Sequence, residues 1–184
     1  MSRHVSVSDG VQVAGGGGGL DHGQVEIFSL NRASPRLVKS VPLRSPVLSL
    51  EYVKESCLSP EGCVGPPPAA PTENIICVGL QDSSVSVYSS VDTAVQCLLT
   101  LITPDRCPVL CLTHTPDLLL AGLANGRVAV YRRNQGERLW DVDSCRLLSL
   151  GGPPVCTLLT LEDTVWASCA NQVSVIQGTS LHTQ

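Results

Sequence analysis

The sequence carries little charge, and its few basic residues do not gather in any one stretch. Only 15% of its 184 residues are charged, and the net charge is −4. Proteins that bind nucleic acid usually present a clustered basic surface. Here Lys39 and Lys54 are the only lysines, and the arginines are scattered along the chain. The composition therefore predicts no nucleic-acid partner and no attraction to an anionic membrane surface.

Long apolar runs are also missing, and so are the features of a secretion signal. No run approaches the roughly 20 apolar residues of a membrane-spanning helix, so the sequence predicts no membrane span. Polar residues follow Met1, where a signal peptide would carry its apolar segment. We therefore expect the chain to stay in a reducing compartment. The hydrophobic content of 43% is still enough to bury a core.

Motifs that carry chemistry are absent from the sequence. It contains no Gly-x-x-x-x-Gly-Lys phosphate loop and no Gly-x-Ser-x-Gly nucleophile elbow. The glycine run at 15–19 does not stand at the strand-to-helix turn that a dinucleotide fingerprint needs. His114 lies near Asp117, but a solvated loop histidine is the simpler interpretation. We predict no catalytic, cofactor-binding or metal-binding residues, and no cofactor.

Nine cysteines are present, and most lie inside apolar, strand-like runs. The odd number, the lack of a Cys-x-x-Cys motif and the lack of paired histidines favour free thiols buried as small apolar side chains. Cys57 and Cys63 differ because they lie in a polar stretch. A disulfide or a metal site at these two residues is left open.

Three copies of a short motif reveal an internal repeat, which is the strongest pattern in the sequence. The copies of Pro-Val-x-x-Leu are 46–50, 108–112 and 154–158. Each is followed by a short apolar run with a small residue near its end, at 75–80, 118–123 and 164–169, and we align 10–15 as an earlier copy. Such runs are typical of buried strands.

Two more elements complete each repeat. A turn, best defined at Asn125-Gly126, leads into a third run with alternating apolar residues. The four copies of this run are 25–28, 85–88, 128–131 and 173–176. A fourth strand follows at 37–43, 97–102 and 145–150, and its last copy is only entered at 179–184.

The spacing of the repeat predicts the architecture. Four short strands that recur every 43 to 45 residues are typical of propeller blades. We predict an all-β partial β-propeller of about four four-stranded antiparallel blades of a larger ring, with units at 1–45, 46–103, 108–150 and 154–184. A proline-rich segment at 54–72 interrupts the second unit, and we expect a flexible inserted loop there. A plain β-sandwich is the alternative fold.

The dipeptide Trp140-Asp141 spells the signature of a WD repeat, but it stands in another place. That signature closes the third strand, whereas Trp140 lies well after Tyr131 and leads into the fourth strand. We interpret Trp140 as a packing residue. The alternation of Asp141 and Asp143 predicts that both carboxylates share one face of a strand, at a solvated edge.

The strand sequences resemble the C-terminal, WD40-like propeller of Rho guanine nucleotide exchange factors, in particular the type 17 branch. The stretches that carry the resemblance are 39–48, 77–82, 88–93, 108–112, 119–123 and 161–169. Related propellers occur in scaffolds of the JIP type, which bind kinases and motors. The resemblance covers the chain from about Gln24 onward.

The resemblance implies a non-catalytic interaction or scaffold module inside a larger protein. In this family a Dbl-homology domain performs nucleotide exchange on Rho-family GTPases, and none of its positions exist in this chain. The implied partners are other proteins, of unknown identity, and a Rho-family GTPase through that separate domain. The implied location is the cytoplasm, with the cytoskeleton as an open alternative. A JIP-type scaffold and a hydrolase of the propeller class are the rival functions.

Overall fold

The computed structural model describes residues 3–7, 11–17, 22–30, 34–54, 74–89, 96–133, 139–178 and 180–182. Within these ranges the chain forms fifteen β-strands and a single turn of 3-10 helix, Val142–Ser144. The strands make four antiparallel sheets that follow one another along the chain. The predicted inserted loop at 54–72, apart from Lys54, lies outside the described residues, as do Cys57 and Cys63.

The first two sheets have four strands each, and every strand pairs with the next one in the sequence. The first sheet consists of β1 (Arg3–Val7), β2 (Val11–Gly17), β3 (Gly23–Ser29) and β4 (Arg36–Leu43). The second sheet consists of β5 (Val47–Val53), β6 (Ile75–Leu80), β7 (Ser84–Ser89) and β8 (Gln96–Ile102).

The third sheet repeats this layout, and the fourth has three strands in the described residues. The third sheet consists of β9 (Val109–His114), β10 (Leu118–Leu123), β11 (Arg127–Arg132) and β12 (Arg146–Ser149). The fourth consists of β13 (Val155–Leu161), β14 (Thr164–Cys169) and β15 (Gln172–Gln177). The described part of 179–184, which we expected to begin a fourth strand, is not a strand; Leu181 N–H donates to the Gln177 carbonyl, and the chain turns back there.

Local chemistry explains the tight turns between the second and third strands. Gly126 adopts a positive φ of 78°, and a Cβ at this position would collide with the backbone of Gly151. Only glycine fits there without strain. In the second sheet the Asp82 carboxylate accepts bonds from the backbone N–H and the hydroxyl of Ser84, which closes the equivalent turn.

Three apolar layers hold the sheets together face to face. The first strands β1, β5, β9 and β13 contact one another in sequence, so each sheet meets the next along this edge. The layer between the second and third sheets is the largest; among its fully buried members are Ile75, Val85, Leu119, Leu123 and Tyr131. This sequential packing confirms the predicted all-β, partial-propeller fold.

The structure corrects the alignment of the first repeat by one residue. We aligned 10–15 with 75–80, but Gly15 pairs with Val25 in the same way that Gly79 pairs with Val85. Val11 is therefore the equivalent of Ile75. The uniform glycines of 15–19 carry no side chains that could have set the register from sequence.

The predicted strand placement of Asp141 and Asp143 is wrong. Asp141 is the N-cap of the 3-10 turn, and its carboxylate accepts the backbone N–H of Asp143 at 2.9 Å. Short polar side chains compete for backbone groups in this way, and they thereby favour turns over strands.

Candidate interaction site

One contact recurs wherever two sheets meet. Gly15, Gly79 and Gly122 occupy the same place on the second strand of their sheets, and each faces a valine of the next sheet. A Cβ on Gly122 would stand 2.8 Å from Cγ1 of Val155, and a Cβ on Gly79 would stand 2.7 Å from Cγ1 of Val109. These glycines therefore allow close approach between neighbouring sheets.

A hydrogen bond accompanies this contact in two of the interfaces. The Ser49 hydroxyl donates to the Val109 carbonyl at 3.3 Å, and the Cys111 thiol donates to the Val155 carbonyl at 3.5 Å. A β-bulge precedes Ser49 in β5 and Cys111 in β9 at the same place. The bulge and the hydrogen bond together position the first strand of one sheet against the first strand of the next sheet.

A second row of polar contacts crosses the same interfaces toward the ends of the first strands. His114 Nδ1 lies 2.6 Å from Glu51 Oε1, and both side chains are about three-quarters buried. One repeat later, the hydroxyls of Thr113 and Thr160 lie 2.9 Å apart. The interpretation of His114 as a solvated loop residue is therefore wrong, because it ends β9 and bonds a carboxylate 63 positions away.

A polar cluster lies at the opposite end of the third sheet, beside the turn that joins β10 to β11. The Asp105 carboxylate accepts from Asn125 Nδ2 at 2.7 Å and from Arg127 Nη1 at 3.2 Å. This cluster joins the connection between the second and third sheets to the turn of the third sheet. The cluster anchors this connecting loop, and the Asp105 carboxylate forms an ion pair with Arg127.

Trp140 has the packing role that the sequence predicts. Its ring is 2% exposed within the layer between the second and third sheets, and the Arg133 guanidinium lies 5.1 Å from its centroid.

Burial raises the pKa of the neighbouring Cys77 thiol and of the Tyr131 phenol above their ordinary values. The Tyr131 hydroxyl donates to the Ile102 carbonyl at 3.3 Å.

The cysteines that the structure describes are free thiols, and of these only Cys77 and Cys169 are buried. Cys97 and Cys156 are exposed, so burial as apolar side chains holds for part of the set only. Within the described ranges, no group of three or more histidine, cysteine or acidic side chains could hold a metal ion. The same ranges contain no helix of the length and apolarity needed to cross a membrane.

The outward side of the fourth sheet is an exposed apolar surface, which we call the open face. Its members are Leu159, Leu161, Trp166 and Val173, with exposed fractions of 61%, 56%, 43% and 63%. Large exposed apolar patches on a soluble protein mark interaction sites or aggregation-prone surfaces. The opposite side of this sheet is buried against the third sheet through Val165, Ala167 and Ile176.

The open face is the feature with the chemistry of an interaction site, and its four residues are not among those predicted from the sequence. In the described residues β15 is an edge strand of this sheet, and just beyond 173–176 the Gln177 N–H donates to the His182 carbonyl. The available signal was the two-residue alternation of β14, in which Trp166 falls in step with the polar residues Thr164 and Ser168.

Comparison with known proteins gives the family. A family model described as the WD40 repeated domain matches residues 1–184. Rho guanine nucleotide exchange factor 10-like protein from Pongo abelii is 48% identical over 184 residues, which is 97% of this chain and 15% of that protein. Human Rho guanine nucleotide exchange factor 10 is 33% identical over 160 residues, which is 84% of this chain and 12% of that protein. The chain thus spans about a seventh of such relatives.

Two further similarities bear on the predictions. Sqt1 of Saccharomyces cerevisiae has a TM-score of 0.69 at 16% identity over the whole chain and 47% of that structure, which supports the fold alone. JNK-interacting protein 3 of Drosophila melanogaster is 32% identical over 107 residues, covering 57% of this chain and 8% of that protein.

The resemblance to Rho guanine nucleotide exchange factors is confirmed, but the choice of the type 17 branch is wrong. Mouse Rho guanine nucleotide exchange factor 17 is 27% identical over 111 residues, far below the 48% of the 10-like protein. Short stretches such as 88–93 had favoured type 17, whereas the similarity to the 10-like protein extends along nearly the whole chain. Because the family model spans residues 1–184, the chain belongs to the WD40 repeated-domain family.

Proposed function

We propose that this chain is a non-catalytic protein-interaction module of a Rho guanine nucleotide exchange factor. The observation that carries the proposal is the 48% identity to Rho guanine nucleotide exchange factor 10-like protein across 97% of the chain. We expect the matching segment of the relative to share the fold of this chain.

The geometry supports binding by a rigid surface. Stacked sheets with buried apolar layers hold loops and faces in fixed positions, and propellers use such positions to bind other proteins. Polar groups such as Asp105 and Arg127 line one end of the third sheet, and the open face lies on the outward side of the fourth sheet. These surfaces suit protein partners.

In this proposal the nucleotide exchange reaction belongs to a Dbl-homology domain elsewhere in the parent protein. The Rho-family GTPase is then a partner of that domain, and this chain recruits or orients other proteins. The parent acts in the cytoplasm, where association with the cytoskeleton is one arrangement that would place it near Rho.

The first experiment separates interaction from catalysis. Rho loaded with a fluorescent nucleotide is mixed with residues 1–184, and nucleotide release is followed. We expect the intrinsic rate, and a large acceleration by the chain would contradict a non-catalytic role.

The second experiment uses the 10-like relative with its matching segment deleted. We expect unchanged exchange in solution and reduced Rho activation in cells, because the segment acts through its partners. An equal loss in both assays would show that the segment is needed for exchange itself.

A JIP-type scaffold is the second candidate, favoured by the 32% identity to JNK-interacting protein 3. The coding sequence next to these residues distinguishes the two. Dbl-homology helices there support the exchange-factor module, whereas long heptad repeats support the scaffold.

A further inference from the structure

Five hydroxyl residues of this chain stand directly before a proline. A serine or threonine followed by proline is the minimal substrate motif of proline-directed protein kinases. The five are Ser34, Ser45, Ser59, Thr103 and Thr115. The sequence alone does not distinguish them, because all share the same dipeptide pattern. The structure describes four of the five, and Ser59 lies outside the described residues.

Three of the four described sites are buried, and their hydroxyls take part in the fold. The exposed fractions of Ser45, Thr103 and Thr115 are 4%, 0% and 8%. The Ser45 hydroxyl oxygen accepts the backbone N–H of Asp82 at 3.0 Å, and that of Thr115 accepts a backbone N–H three residues later at 3.1 Å. The Thr103 hydroxyl donates to the Cys107 carbonyl at 3.4 Å. A kinase therefore reaches these hydroxyls only after the sheets open locally.

Ser34 differs from these three because it is exposed, as are Pro35 and Arg36 after it. It lies in the connection between β3 and β4, and β4 is an edge strand of the first sheet in the described residues. A residue before proline favours an extended backbone, and kinases bind the segment around the acceptor hydroxyl in an extended conformation. The Ser34 hydroxyl is therefore accessible in the folded chain.

The charges that follow Ser34 also suit a phosphate group. Strand β4 begins with Arg36 and carries Lys39, and it contains no acidic residue. Glu26 of the neighbouring strand pairs with Ser40, further along β4. A phosphoserine adds a charge of about −1.5 to −2 at neutral pH, which basic side chains stabilise and carboxylates oppose. A phosphate at Ser34 is therefore compatible with the folded sheet.

We propose that Ser34 is a phosphorylation site for a proline-directed protein kinase, and that the fold protects the three buried sites. The Ser34 Oγ attacks the γ-phosphorus of ATP, so that a new O–P bond forms while the bond from this phosphorus to the bridging oxygen of ADP breaks. The hydroxyl proton passes to the catalytic carboxylate of the kinase. The inference rests on exposure and hydrogen bonding, and it is independent of the proposed function.

The test compares phosphate transfer to the folded chain with transfer to peptides. A purified MAP kinase and a purified cyclin-dependent kinase are each supplied with magnesium and ATP, and mass spectrometry locates the phosphate. Peptides of residues 28–40, 39–51, 97–109 and 109–121 present the four sites without the fold. The chain carries Ser59→Ala, so that the site outside the described residues adds no signal.

We expect at least one of the two kinases to modify Ser34 in the folded chain at a rate within several-fold of its peptide. For Ser45, Thr103 and Thr115 the rate should fall by at least about 100-fold from peptide to chain, because the opened state is a small fraction of the population.

Two variants test the assignment. Ser34→Ala should remove the phosphate from the folded chain. Pro35→Ala should also remove it although the hydroxyl remains, because this class of kinase selects proline after the acceptor. Both side chains are exposed, so neither substitution should shift Tm by more than about 2 °C.

A folded chain that neither kinase modifies at Ser34 would overturn the proposal, whether or not the 28–40 peptide is modified. Phosphorylation of Ser45, Thr103 or Thr115 in the chain at the peptide rate would show that the fold does not select among the sites. An unchanged rate in Pro35→Ala would exclude a proline-directed kinase.

Discussion

The hydroxyl of Ser49 donates to the backbone carbonyl of Val109 at 3.3 Å, and this bond joins the first strands of the second and third sheets. One repeat later, the Cys111 thiol makes the same bond to Val155. Each bond lies beside a glycine that no larger residue could replace without a clash. These repeated contacts set how closely neighbouring sheets approach, alongside the apolar layers that hold the sheets together.

Gly122→Ala should destabilise the chain by about 1–3 kcal/mol, because the added Cβ overlaps Cys111 Sγ and approaches Val155. Urea unfolding measures the change. Gly152→Ala is the matched control: nothing lies within 4 Å of its Cβ, so its effect should stay within about 0.5 kcal/mol. Equal effects at the two glycines would show that the inter-sheet contact is not tight.

Trp140→Ala should cost about 3–5 kcal/mol, because the ring is buried between the second and third sheets. Trp166→Ala should change stability by less than about 1 kcal/mol, since its ring lies on the open face. Thermal and urea unfolding of the two variants compare the sites directly. A larger loss at Trp166 than at Trp140 would mean that the open face is already covered in the isolated chain.

The Glu51–His114 contact should behave as a coupled pair. Each single change to threonine leaves a partly buried group without its partner and should cost about 1–3 kcal/mol. The double change copies the Thr113–Thr160 contact of the next interface, so it should cost less than the sum of the singles by about 0.5–2 kcal/mol. A double-mutant cycle from urea unfolding measures this coupling, and strict additivity would rule it out.

Alkaline pH should weaken the fold through Cys77. Burial, and then the nearby carboxylate of Glu51, raise the pKa of this thiol above its ordinary value of 9.0. Above that pH the unfolded chain releases the thiol proton while the folded chain keeps it, so the stability is fully present below pH 9 and falls as the pH rises further. Unfolding free energies across this range should fall less steeply in Cys77→Ala.

Cys97→Ala is the matched control for the alkaline measurement, because Cys97 is exposed. Its pH dependence should equal that of the unchanged chain. If the unfolding free energy fell equally steeply with pH in Cys77→Ala and in Cys97→Ala, the buried thiol would not be the cause.

The fold could be predicted from the sequence because each repeat carries local sequence signals for its strands and turns. The three Pro-Val-x-x-Leu copies start β5, β9 and β13, and Asn125-Gly126 forms the turn before β11. Alternating valines, as in 85–88, set the faces of the third strands. The first repeat could not be aligned, because the glycines of 15–19 provide no side-chain pattern.

The interaction surfaces were harder to predict, since they depend on residues far apart in sequence. Nothing near His114 indicates Glu51, which lies on another sheet. The exposure of Trp166 depends on whether another sheet covers it, and its local sequence matches that of the buried Leu120. The Asp141 carboxylate accepts a hydrogen bond from the backbone N–H of Asp143 in its own turn, and the alternation of the two acidic residues does not indicate this turn.

Light scattering after size-exclusion chromatography tests most directly whether the fourth sheet ends in an open blade face. The 184-residue chain should give masses above 19.4 kDa that increase with concentration, because the open face associates with other copies. Leu159→Glu with Val173→Glu should return it to a 19.4 kDa monomer. Ile102→Glu, at a site of 64% exposure outside the open face, should have no such effect. A single 19.4 kDa species for the unchanged chain at every concentration would contradict the partial-propeller interpretation.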